Sequence, residues 1–234
     1  MDSTKIFTIF AGVNGAGKST LFRYINKNEY GIRINTDEIV GKNWQNSELQ
    51  LKAGREAIRI REIAFNENKS LNQESTLTGN GILRAIDKAK KLGYKINVFY
   101  IGVNSPEIAK ERVKERVLNG GHGIPENTIE KRYYESLENL NKIKNKCNEL
   151  IIYDNSTNFE KIIKIKETNI QIIAENIPKW VKESLNLEIK EQKKERNPWS
   201  KVLKEKDQEK NQVKDQKKKN PWSKKKNNDR GMQR

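Results

Sequence analysis

The segment Gly12-Val13-Asn14-Gly15-Ala16-Gly17-Lys18-Ser19 constrains this chain more than any other. It follows an apolar run, Lys5 to Ala11, with the pattern of a buried strand, and it precedes a run with helical spacing. The pattern G-x-x-x-x-G-K-[ST] in that setting is a phosphate-binding loop. Glycines let the backbone curl so that consecutive N–H groups face one anion. The helix that follows adds free N–H groups and a partial positive charge at its start. In such a loop Lys18 reaches the β- and γ-phosphates of ATP, and the Ser19 hydroxyl binds Mg²⁺. The candidate ATP-binding residues are therefore Gly12, Asn14, Gly15, Ala16, Gly17, Lys18, Ser19 and Thr20, with Ser19 as the magnesium ligand.

Downstream, strand-like and helix-like signals alternate to about residue 186, which argues for a sheet covered by helices. The helix after the loop carries Leu21, Tyr24 and Ile25 on one face. Strands are expected at Ile32–Asn35, Lys95–Val103 and Leu150–Tyr153, a strand and turn at Ser70–Thr76, and helices at Gln50–Asn68, Gly81–Leu92, Ser105–Leu118 and Glu126–Lys146. Phe159–Lys166 alternates like an edge strand, and Ile177–Leu187 reads as a short helix holding Trp180. The fold class is α/β: a P-loop NTPase three-layer fold with a mostly parallel sheet, whose strand order the sequence leaves open.

Residues 187–234 differ in kind. They hold 17 basic and 8 acidic residues, against 30 and 23 in residues 1–186, so about a quarter of the chain carries over half of the net charge of +16. Past Ile189 their apolar residues are Trp199, Val202, Leu203, Val213, Trp222 and Met232, too few to offset the entropy of ordering the segment. The expected division is a kinase-like domain over 1–186 and a basic, largely disordered tail over 187–234. Within the tail, Asn197-Pro198-Trp199-Ser200-Lys201 recurs as Asn220-Pro221-Trp222-Ser223-Lys224, either a linear motif used twice or a duplicated low-complexity stretch.

Composition excludes several classes. No uncharged apolar run nears the roughly 18 residues that a membrane span needs. The single Cys147 excludes an intramolecular disulfide framework, and with a single His122 it excludes a His/Cys zinc site within one chain. No signal peptide is visible, so the expected compartment is the cytoplasm. The loop string looks like that of ABC transporter ATPases. However, no apolar strand ends in Asp-Glu, and Leu77-Thr78-Gly79-Asn80 is far from a Leu-Ser-Gly-Gly signature.

Three clusters fit a small P-loop kinase better. Asp37 lies just past the second strand, at the end where open α/β sheets bind ligands, and a carboxylate there can take the proton of an attacking hydroxyl. The competing reading is an Asx turn or helix cap. Glu74-Ser75-Thr76 follows the third strand, where Glu74 and Thr76 can hold substrate hydroxyls or metal-bound water. Arg112 and Arg116 share a helix face, Gly120-Gly121-His122-Gly123 breaks that helix, and Arg132 begins the next. Guanidinium groups around a closing loop would stabilise the charge on a transferring phosphoryl group, although Glu111, Glu115 and Glu130 offer them ordinary surface pairs.

Together the phosphate loop, Asn35-Thr36-Asp37, Glu74-Ser75-Thr76, Arg112-Val113-x-x-Arg116-Val117-x-x-Gly120-Gly121-His122, Arg132-Tyr133-Tyr134-x-Ser136-Leu137-x-Asn139-Leu140 and Tyr153-Asp154-Asn155-Ser156 resemble the zeta-toxin family of P-loop kinases, over about residues 5–180. The resemblance is to its small branch, often labelled predicted ABC-type ATPase. It implies ATP-dependent phosphorylation of a sugar hydroxyl on UDP-N-acetylglucosamine. It makes Lys18 and Ser19 the ATP and Mg²⁺ residues, Asp37 the base, Glu74 and Thr76 the substrate-binding acid and hydroxyl, and Arg116 and Arg132 the phosphate clamp; Arg112 is a substrate-binding candidate from the arginine cluster and not from the resemblance. Tyr153-Asp154-Asn155-Ser156 receives no role. The expected partners are a nucleotide sugar as substrate and either an antitoxin or a protein that docks on the tail. The alternative is a nucleotide-switched protein whose Lys- and Trp-containing tail binds nucleic acid, though interleaved Glu weakens its field.

Overall fold

β1 (Ile6–Ala11) is apolar on both faces because it lies inside a sheet of seven strands, third from one edge. The computed structural model describes residues 4–25, 27–41, 45–167 and 169–187. The tail residues 188–234, with both Asn-Pro-Trp-Ser-Lys repeats, lie outside these. In chain order after β1 come α1 (Lys18–Tyr24), β2 (Ile32–Ile34), α2 (Thr36–Val40), α3 (Ser47–Asn66), β3 (Leu71–Ser75), α4 (Gly79–Lys91) and β4 (Lys95–Gly102). They are followed by α5 (Pro106–Leu118), α6 (Glu126–Ile143), β5 (Glu149–Asp154), β6 (Glu160–Lys166), β7 (Asn169–Ile172) and α7 (Lys179–Leu185).

The sheet order is β2-β3-β1-β4-β5-β6-β7; the first five strands are parallel, and β6 and β7 are antiparallel. Alternation along the strands feeds two cores. Phe7, Ile9, Ile96, Val98 and Tyr100 pack with α3, α4 and α7, whereas Phe10, Phe99 and Ile101 pack with α1 and α5. α6 contributes to both, through Leu140 and Ile143 on one side and Ile129 and Tyr133 on the other. The result is three layers, as the alternating pattern predicts. Among the described residues no helix is long and apolar enough to cross a membrane.

The structure corrects the reading at several points. Tyr24 is 85% exposed; the buried stripe of α1 runs through Lys18, Leu21 and Phe22, because the lysine turns inward toward the loop. α2 was hidden by its length of 5 residues. β6 is not the edge strand: β7, whose four residues are all exposed, takes that place. Its alternation of Asn and Gln with Ile carries no buried face to betray it.

Register decides what the sheet edge presents. Ala11 is level with Ser75 and Tyr100, Ile34 with Gln73, and Gly102 with Asp154. The carboxyl ends of all five parallel strands thus open onto one edge, and every connection leaving it can contribute to one site.

Candidate active site

The phosphate loop leaves β1 at Gly12, whose N–H donates to Ser75 O at 3.2 Å. A Cβ at Gly12 would stand 2.1 Å from Ile101 O, and its φ of +139° lies in the region that favours glycine. Gly17 caps α1 with φ +105°, and a Cβ there would meet Asn155 Nδ2 at 2.6 Å. The chain therefore has no alternative to glycine at either end of the curl. Inside it, Lys18 Nζ donates to Val13 O at 3.1 Å. Burial pulls the Lys18 pKa below its ordinary 10.5, a shift opposed by the charges of Glu74 and Asp37 and reinforced by Arg116 and Arg132.

Ser19 Oγ donates to Glu74 Oε1 at 2.9 Å. Glu74 reaches this point from β3 and is held by two further donors. Arg33 Nη2 and Asn35 Nδ2 each lie 3.0 Å from its Oε2. Arg33 is itself fixed, with its guanidinium carbon 3.5 Å from the centre of the Phe22 ring and further bonds to Glu38 and Asn72. Asn35 also caps α2, its Oδ1 accepting from Asp37 N at 3.0 Å. The capping duty that competed for Asp37 thus falls to Asn35, and Asp37 lines the cleft from the first turn of α2.

The opposite wall is built from arginines. Arg132 Nη1 donates to Asn14 Oδ1 at 3.0 Å, joining α6 to the phosphate loop. Arg116 Nε donates to His122 O at 2.8 Å and folds the post-α5 loop back on its helix. Burial lowers the His122 pKa below its ordinary 6.5, against the raising effect of Asp37. Arg112 Nη1 and Arg116 Nη2 are buried with no hydrogen-bond partner among the described residues. A donor left so costs about 1–3 kcal/mol, which a bound anion would recover.

A cleft of ≈ 530 Å³ gathers these groups. Asn14, Gly15, Gly17, Lys18, Ser19, Thr20, Asp37, Glu74, Thr76, Arg112, Arg116 and Arg132 all line it. Gly12 and Ala16 do not: Gly12 packs against β4, and Ala16 is wholly buried beneath the loop. Thr76 Oγ1 lies 2.8 Å from Thr78 Oγ1. Sequence reasoning missed Arg33, Gln73 and Asn155. Gln73 lines the cleft, its Oε1 accepting from buried Arg61 at 3.1 Å, and Asn155 Nδ2 donates to Ala16 O at 2.9 Å. A charged residue inside a short strand reads as an exposed strand, so no local signal marks Arg33.

Comparison with known proteins bears on the family and the fold. The model of the family described as Zeta toxin matches residues 1–167. An uncharacterized protein of Haemophilus influenzae is 40% identical over 135 residues, which is 57% of this chain and 94% of that protein. A structure from the PezAT chromosomal toxin-antitoxin system of Streptococcus pneumoniae superposes with TM-score 0.55 at 17% identity, covering 94% of this chain and 89% of that one. AvrRxo1-ORF1:AvrRxo1-ORF2 gives TM-score 0.59 at 11% identity over 73% of this chain; only 61% of that chain is covered, so this one spans less than two thirds of its length. At such identities the structural neighbours establish the fold. The sequence match carries the assignment: the chain belongs to the zeta toxin family, which places it among the ATP-dependent phosphotransferases of the P-loop kinase type.

Proposed function

We propose that this protein transfers the γ-phosphate of ATP to a hydroxyl of a nucleotide sugar, UDP-N-acetylglucosamine being the acceptor the family implies, with Asp37 as general base. The observation that carries this reading is the placement of Asp37 and Lys18 on one cleft, with the α2 cap supplied by Asn35 instead. The Asp37 carboxylate takes the hydroxyl proton. The hydroxyl oxygen bonds to the γ-phosphorus as the bond from that phosphorus to the β–γ bridging oxygen breaks, and ADP leaves. Lys18 and Ser19 hold the β- and γ-phosphate side of the nucleotide. Arg116 and Arg132 neutralise charge on the transferring group from the far wall, and Glu74, Thr76 and Arg112 contact the substrates.

Magnesium fits beside Ser19. The site offers a hydroxyl and the Glu74 carboxylate, hard oxygen donors, and no group of three or more His, Cys, Asp or Glu side chains among the described residues suited to a dedicated metal cage. Mg²⁺ in kinases uses few protein oxygens and completes its shell with water and phosphate. Bound there, the ion would neutralise phosphate charge during transfer.

An antitoxin partner belongs to the same reading, since the streptococcal neighbour comes from a toxin-antitoxin system. The test is mass spectrometry of nucleotide sugars incubated with the protein, ATP and Mg²⁺. One added phosphate on the sugar is expected. Phosphate appearing only on acceptors without a sugar would replace the proposed substrate class.

A further inference from the structure

The cleft is braced from a part of the chain that the family match does not reach. α7 lies beyond residue 167, where that match ends. Its Trp180 is 4% exposed and lies over Gly102 at the end of β4; a Cβ on Gly102 would come within 2.3 Å of the indole. The indole Nε1 donates to Asp154 Oδ1 at 2.7 Å.

Asp154 ends β5, is 8% exposed, and accepts two more bonds. Ser156 Oγ donates to Oδ1 at 2.8 Å, and Ser156 N to Oδ2 at 3.1 Å. A buried carboxylate held by several donors is an expensive arrangement to distort. Two backbone donors fix the rest of the turn: Asn155 N donates to Gly102 O at 2.9 Å, and Asn104 N to Ser156 Oγ at 2.8 Å.

Both residues after Asp154 then act on the cleft. Asn155 Nδ2 donates to Ala16 O inside the phosphate loop, and Ser156 O accepts from Arg112 Nη2 at 3.2 Å. The other terminal nitrogen of Arg112 is the buried, unpartnered Nη1. One turn therefore holds the loop from below and one arginine from the side.

We infer that Asp154, locked by Trp180 of α7, is a positioning residue that sets both the phosphate loop and Arg112 for ATP through the Asn155–Ser156 turn. The indole hydrogen bond serves ATP binding in addition to core packing. The inference concerns nucleotide affinity alone and stands whichever alcohol accepts the phosphate.

The test uses the full chain and reads the ATP dissociation constant by equilibrium titration, alongside the thermal midpoint. Trp180→Phe keeps a ring over Gly102 and deletes the donor. ATP binding should weaken about 3–10-fold, the range for one hydrogen bond. In an Arg112→Ala/Asn155→Ala background the same change should have little further effect, because the route to the cleft is already cut. Ser156→Ala removes the Oγ bond to Asp154, and with it the acceptor of Asn104 N, at a less buried site and decides the matter by the same cycle if Trp180→Phe does not fold. Unchanged ATP affinity despite a lowered midpoint would overturn the inference. So would an effect of equal size with Arg112 and Asn155 in place or removed. Since no acceptor is present, failure of the nucleotide-sugar reading leaves the outcome untouched.

Discussion

The two walls of the cleft are made by different means. The near wall is a contiguous stretch of backbone, its shape imposed by glycines at Gly12 and Gly17. The rest of the cleft is an assembly of side chains from α2, β3, α5 and α6, with the arginines facing the loop. Its contacts join residues remote in sequence: Arg132 meets Asn14 across 118 positions, and Ser19 meets Glu74 across 55. Binding phosphate with N–H groups leaves a motif in one place. Placing a base and several guanidinium groups around it takes the completed sheet.

That contrast predicts separable failures. The largest effects are expected at Lys18 and Asp37: with Asp37→Asn phosphoryl transfer should fall about 10²–10⁴-fold while ATP affinity is retained. Lys18→Ala should lose both, and transfer at the wild-type rate by the Asp37→Asn variant would remove Asp37 from the mechanism. Next, Arg116→Ala should lower kcat/KM about 10²–10³-fold, as loss of one preorganised donor to the transferring charge does; stopped-flow single-turnover rates would check it. On the near wall the damage should be structural. Gly12→Ala should cost about 2–5 kcal/mol of stability from left-handed strain and a clash with Ile101 O, read as a lower urea midpoint.

The smallest expected effect is a pH dependence. The buried Lys18 loses its proton below the ordinary 10.5, so ATP affinity should fall on the alkaline side before that value is reached. Lys18→Arg should remove this limb because a guanidinium stays charged. The sign for stability is the reverse. Between the lowered folded value and 10.5 the unfolded chain binds the proton that the folded chain has shed, so the Lys18 contribution rises with pH there.

The phosphate loop was legible because its chemistry and spacing coincide, and the strands because a central parallel strand is apolar on both faces. Asp37 was read from its place after a strand, although the sequence could not show that Asn35 would relieve it of its capping duty; Glu74 was read as following the third strand but stands within β3, one residue before its end. Arg33 was not legible: a lone arginine in Ile32–Ile34 signals an exposed strand, and only Phe22 and Glu74 explain it. Trp180 could be placed on a helix from spacing, but its partner Asp154 could not, since nothing local links a tryptophan to the end of a distant strand. Tyr24 misled because three apolar residues at helical spacing fit two faces, and the inward turn of Lys18 selected the other.

The position of β1 also has a consequence for how the molecule is made. The β5–β6–β7 meander pairs neighbours in sequence, whereas β1 must find β3 at Leu71 and β4 at Lys95. Such long closures slow folding, and the cradle for the nucleotide does not exist until they are complete. ATP thus binds only finished molecules. At a hundredfold excess over its dissociation constant it would add about 2.7 kcal/mol to their stability, which makes the ligand a thermodynamic assistant in its own binding site's assembly.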